Sequence, residues 1–167
     1  MPFDSQTKVV VHFLDGKILK GSTIGFHPSR EVFYLFPLGE EHAIKINILS
    51  VKALFFVKTF EGNKNHKKSK ILEDYKLTPT QRKIKVHFKD GEVIFGSTHS
   101  YGPGRKGFFI CPLDPLDNNE RIYVNQLAVR ELWLMDMEVK TPVRWRSGKY
   151  VLEEGKWKFV QGLENNN

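Results

Sequence analysis

Apolar and polar residues alternate along Ile84-Lys85-Val86-His87-Phe88-Lys89. A period of two is that of a strand with one face in a core and one in water. Val9, Val11 and Phe13, set against Val10, His12 and Leu14, carry the same period less cleanly. Both stretches run into Asp-Gly, at Asp15-Gly16 and Asp90-Gly91, a pair that turns the chain back as an antiparallel hairpin. The returning strands are predicted from Lys17 to Phe26 and from Glu92 to Tyr101. Gly21 and Gly96 interrupt them, as a bulge or bend would where a small barrel closes. Third strands follow at Val32–Phe36 and Phe108–Cys111, each stopped by a proline. Fourth strands are expected at 43–48 and 121–126, tight turns at Leu49-Ser50 and Leu127-Ala128, and fifth strands at Val51–Val57 and Val129–Met135.

Every one of these elements occurs twice. Val11 recurs as Val86, and the offset of 75 carries Gly21 onto Gly96, Arg30 onto Arg105, Phe33 onto Phe108 and Pro37 onto Pro112. Three extra residues in the second copy then move the offset to 78, with Asn47 on Asn125, Val51 on Val129 and Leu54 on Leu132. A duplication of this length dictates the architecture. The expected fold is all-β: two tandem five-stranded small β-barrels and a C-terminal β-hairpin. Residues 1–62 would form the first barrel, 63–81 a basic linker, 82–138 the second barrel, and 139–167 the hairpin and a disordered tail. Arg144-Trp145-Arg146, Tyr150-Val151-Leu152 and Lys156-Trp157-Lys158-Phe159 supply the hairpin's aromatics. Each copy is near the lower limit at which a core sustains itself, so the two are expected to pack on each other.

Charge changes this picture little. The chain of 167 residues has a net charge of +7, spread thinly, with its densest part in the linker around Lys64, Lys67, Lys68 and Lys70. A dedicated nucleic-acid face would concentrate it. No apolar run approaches the ~20 residues of a membrane helix. The N-terminus lacks the basic and apolar regions of a signal peptide, and the single cysteine leaves no intrachain disulfide. These features point to the cytoplasm.

Five short strands with a tight turn before the last resemble the Src-homology-3-like and Sm-like small barrels. The apolar alternation, Asp-Gly and a glycine five residues on look like the first motif of the Sm-like group; Ile44–Ile48, a turn and Val51–Val57 look like the second. The loops with which Sm proteins read RNA bases are different here, at His27–Glu31 and Asn47–Ser50 and at Gly102–Lys106 and Asn125–Ala128, so those binding residues are not carried over. Residues 7–136 also resemble an uncharacterised bacterial family. The likeness lies in Phe55-Phe56-Val57-Lys58-Thr59-Phe60-Glu61-Gly62, in Pro103 to Phe109 and in Asn118 to Arg121. That resemblance implies a companion of bacterial signalling domains with no established activity.

Catalytic chemistry finds no foothold. The six histidines are dispersed without ligand spacing on one element, so no metal site and no cofactor are expected. Cys111 lacks an identifiable activating base, and Asp15 and Asp90 read as turn residues. The residues that remain are arginines in loops, whose planar forks suit carboxylate and phosphate. Arg30, Arg105 and Arg121, with Asn118 and Asn119 closing the loop before Arg121, are the candidate partner- or anion-binding set. The expected function is a non-enzymatic bacterial binding or regulatory adaptor with a protein or anionic partner and no membrane. The alternative is an Sm-like nucleic-acid-binding protein, its binding weak and nonspecific. Open strand edges also allow a homo-oligomer.

Overall fold

The computed structural model describes residues 6–62, 81–99, 106–135, 148–154 and 156–162. Its strands are β1 (Thr7–Phe13), β2 (Ile18–Thr23), β3 (Val32–Pro37), β4 (Ile44–Asn47), β5 (Val51–Val57), β6 (Arg82–Phe88), β7 (Val93–Thr98), β8 (Gly107–Ile110), β9 (Asn119–Asn125), β10 (Val129–Met135), β11 (Gly148–Glu153) and β12 (Lys156–Gly162). The described residues hold only these strands and two three-residue 3-10 turns, so the fold is all-β. The fifth strands run over Val51–Val57 and Val129–Met135 as expected, and Tyr150-Val151-Leu152 and Lys156–Phe159 pair in a terminal hairpin, while Arg144-Trp145-Arg146 lies outside the described residues. Among the described residues, no helix is long and apolar enough to cross a membrane. Arg105, most of the linker and the terminal asparagines lie outside the described residues.

Two sheets form, ordered β4-β3-β2-β1-β5-β9-β8 and β12-β11-β10-β6-β7. A bridge between Ser97 and Cys111 links β7 to β8. Followed edge to edge, the strands make one ribbon in which β4-β3-β2-β1-β5 is succeeded by the same order, β9-β8-β7-β6-β10, and then by the hairpin. The join is β5 against β9, antiparallel, with Leu54 opposite Tyr123 and Phe55 opposite Ile122.

Local chemistry is used twice. Asp15 accepts a hydrogen bond from the Lys17 amide (2.9 Å), as Asp90 does from Glu92 (3.0 Å), which tightens each first turn. The Asn47 side chain accepts from the Leu49 amide and Asn125 from Leu127, each starting a 3-10 turn. Thr23 donates to the Tyr34 carbonyl and Thr98 to that of Phe109. The glycines inside β2 and β7 prove not to be bulges, because the register runs through Val9 opposite Gly21 and Ile84 opposite Gly96 without a shift. They are glycines because the next strand passes too close. A Cβ on Gly21 would stand 2.3 Å from the Phe36 carbonyl oxygen, and one on Gly96 2.3 Å from Ile110 Cγ2.

All seven residues of β5 are buried. Its Leu54 and Phe56 enter a core with Val9, Val11, Phe33 and Leu35 of the first half. Its Ala53, Phe55 and Val57 enter a second core with Ile84, Val86, Phe88 and Leu132. β9 divides in the same way, Tyr123 into the first core and Ile122 and Val124 into the second. Each half therefore completes the other's core. Asn125 reinforces the seam by donating from Nδ2 to the Val51 carbonyl (2.9 Å).

Candidate functional site

Beside the β5–β9 seam the loop between β2 and β3 drops Phe26 onto the sheet. Its ring meets Tyr123 (5.4 Å between centroids), Phe56 (5.7 Å) and Phe109 (6.4 Å), largely edge to face, the arrangement aromatic quadrupoles favour. Phe109 and Tyr123 of this cluster line a cleft of about 590 Å³, together with Pro28 and Ser29 of that loop and with Thr98, His99, Lys106, Cys111 and Arg121, among others. Gly107 lets β8 pass over Tyr123, whose hydroxyl would be 2.4 Å from a Cβ there. Burial pushes the Tyr123 phenol above its ordinary value, so it stays protonated.

Arg121 is the exposed charge over this floor. It sits opposite Phe56 in the register, and its guanidinium carbon lies 4.3 Å from the Phe56 ring centre and 4.9 Å from that of Phe109. The cation–π contacts hold the guanidinium over the two rings while its N–H groups stay available. Among the described residues it has no carboxylate or carbonyl partner. Lys106 adds a second exposed cation at the other end of β8, and among the described residues no acidic side chain lines the cleft. The arrangement suits an extended ligand that carries anionic groups.

The other candidates separate. Arg30 is exposed and its amide closes a turn on the His27 carbonyl, while its neighbours Pro28 and Ser29 line the cleft. Arg105 is outside the described residues and directly precedes Lys106. Asn118 faces the end of β5: its Oδ1 accepts from the Thr59 amide and hydroxyl, and its Nδ2 donates to the Thr59 carbonyl at 2.9 Å. The Asn119 amide donates to Asp117 Oδ1 (2.8 Å), which closes the turn into β9. The strand begins at Asn119, so Arg121 is its third residue. Sequence reasoning passed over Phe26 and Lys106. The one available signal was an aromatic residue between Gly25 and His27 in a segment otherwise composed like a loop.

Residues 5–136 match the model of a family of unknown function, DUF6982. The chain belongs to that family. The match covers both halves of the ribbon, with the cleft between them, and stops before the C-terminal hairpin. Among curated proteins and among solved structures, nothing matches the chain.

Proposed function

We propose that the protein is a non-enzymatic binding module, a regulatory adaptor that takes an anionic group of a partner protein into the cleft at Arg121. The carrying observation is the guanidinium held over the Phe56 and Phe109 rings, with no ion pair among the described residues. A cation fixed in place and left unpaired loses little entropy on binding a carboxylate or phosphate. The reading takes the ribbon as two tandem Sm-like barrels, residues 1–62 and 82–138, and sets the protein in the bacterial cytoplasm beside signalling domains, as the resemblances in the sequence imply.

A synthetic acidic peptide bearing one phosphate tests it by fluorescence anisotropy. The expected result is saturable binding that Arg121→Ala weakens about tenfold or more, the scale of a lost charge-assisted hydrogen bond, with the melting temperature unchanged. Arg121→Lys should not restore it, because an ammonium lacks the planar fork. Equal binding by wild type and Arg121→Ala would sink the reading. The second reading, single-stranded RNA, is favoured by half-buried Phe109 under Arg121 in a cleft that Lys106 also lines, an aromatic and cationic surface of the kind such proteins use. An RNA oligomer that displaces the peptide, with affinity falling steeply as salt rises, would promote it.

A further inference from the structure

β4 and β9 hold equivalent places in the two halves of the ribbon; the offset of 78 sets Ile44 on Ile122, Lys45 on Tyr123 and Asn47 on Asn125. β9 has β5 along its outer edge. β4 ends its sheet, and among the described residues nothing pairs with its outer edge. Two differences follow. Ile122 is 3% exposed, whereas Ile44 is 40% exposed. β9 is strand from Asn119 onward, whereas the equivalent residues 41–43 lie outside β4. Asn119 and Arg121 pair only with β5, since the register with β8 begins at Ile122. A neighbour on the outer edge of β4 would therefore cover Ile44 and extend the strand back to Glu41.

We propose that this neighbour is a second copy of the chain, its β4 laid antiparallel on the first about a two-fold axis at Ile44. Opposed residues of an antiparallel pair point to the same face, so such an axis must pass through a residue position. An axis at Lys45 sets that lysine against its own copy, a like-charge pair. An axis at Ile46 requires Ile44 to pair with Ile48, which belongs to a 3-10 turn. At Ile44, the two isoleucines meet on the core side, where Ile46 already lies buried. The outer face then carries two lysines and two glutamates; each Lys45 lies opposite the partner's Ala43, with the partner's Glu41 on one diagonal and the partner's Lys45 on the other, a weaker repulsion than the direct opposition that an axis at Lys45 imposes. Neither side chain has an ion-pair partner among the described residues, so both are available for this exchange. The seven-stranded sheet would continue across the axis as one closed, symmetric pair.

Sedimentation velocity on the full chain over a dilution series tests this. The expected result is a dimer that dissociates on dilution, with Ile44→Asp monomeric throughout. Glu41→Lys should weaken the dimer, and the double reversal Glu41→Lys with Lys45→Glu should restore it, a rescue that general destabilisation would not give. Hydrogen exchange of the 41–47 amides should slow in step with dimer formation. A monomer at every concentration, or a dimer indifferent to Ile44→Asp, overturns the proposal. So does a monomer whose 41–47 amides are already protected, because another stretch of its own chain would then cover β4.

Discussion

Lys52 shows how far a single residue can depart from what its strand implies. In Val51-Lys52-Ala53 the lysine reads as a residue pointing at water, and its equivalent on β10, Arg130, is indeed exposed. Lys52 is 6% exposed. Its ammonium crosses the seam to pair with Asp90 at 2.6 Å and with Glu92, over the Phe88 ring. Burial works against that charge, yet the hydrogen bonds to the two carboxylates outweigh it and hold the ammonium above its ordinary value. Both acids stay largely hydrated, so removing the charge while keeping the volume should be mild. Lys52→Met is expected to shift stability by no more than ~1 kcal/mol. Lys52→Glu, which buries a carboxylate against two others, should cost roughly 3–5 kcal/mol. Urea denaturation of the two variants separates these outcomes; equal losses would mean that packing, not charge, is what Lys52 supplies. The alternation could not show this, because the covering that buries Lys52 comes from the other half of the chain. Arg121 was legible as a loop arginine, whereas Phe56 and Phe109 read only as core until the register placed them beneath it.

At the level of the strand, legibility follows local pairing. The first turns were readable because hairpin partners and turn residues are close in sequence, and the fifth strands because a tight turn leads straight into an apolar run. The fourth strands were read as equals, yet they differ in length because only one has a neighbour on both sides. β1 and β6 are likewise equivalent, and each carries a histidine against the fifth strand of its own half. His12 lies opposite Ala53 with its ring tilted against Phe55, 4.5 Å between ring centres; His87 lies opposite Glu131, 3.7 Å from its carboxylate. Burial holds both imidazoles below the ordinary 6.5, and for His87 it prevails over the attraction of Glu131. The folded state thus binds fewer protons than the unfolded one just below pH 6.5. The histidine contribution to stability is complete above that value, shrinks as the pH falls, and levels off below the depressed folded values. Thermal melts from about pH 7 to about pH 5 should show a falling midpoint, with a shallower fall in His12→Phe. A flat profile in the wild type would contradict the assignment.

Across the whole molecule, the duplication announced two similar halves, and their small size announced that they would lean on each other. Which edges would meet was not readable, because neither β5 nor β9 carries a mark that distinguishes its outer edge. The seam has a consequence for how the chain is made. A ribosome delivers residues 1–62 long before β9, so β5 emerges with Phe55 and Val57 facing a core whose remaining members are still unsynthesised. Non-local pairing of this kind is slow, and the waiting strand is open to aggregation. A fragment of residues 1–62 should accordingly be unfolded or aggregated by circular dichroism and light scattering, and adding a fragment of residues 81–162 should recover a soluble complex. If residues 1–62 alone melt cooperatively as a monomer, β5 can do without its covering. Otherwise the nascent first half needs a chaperone, or a pause in translation, until Ile122 and Val124 arrive.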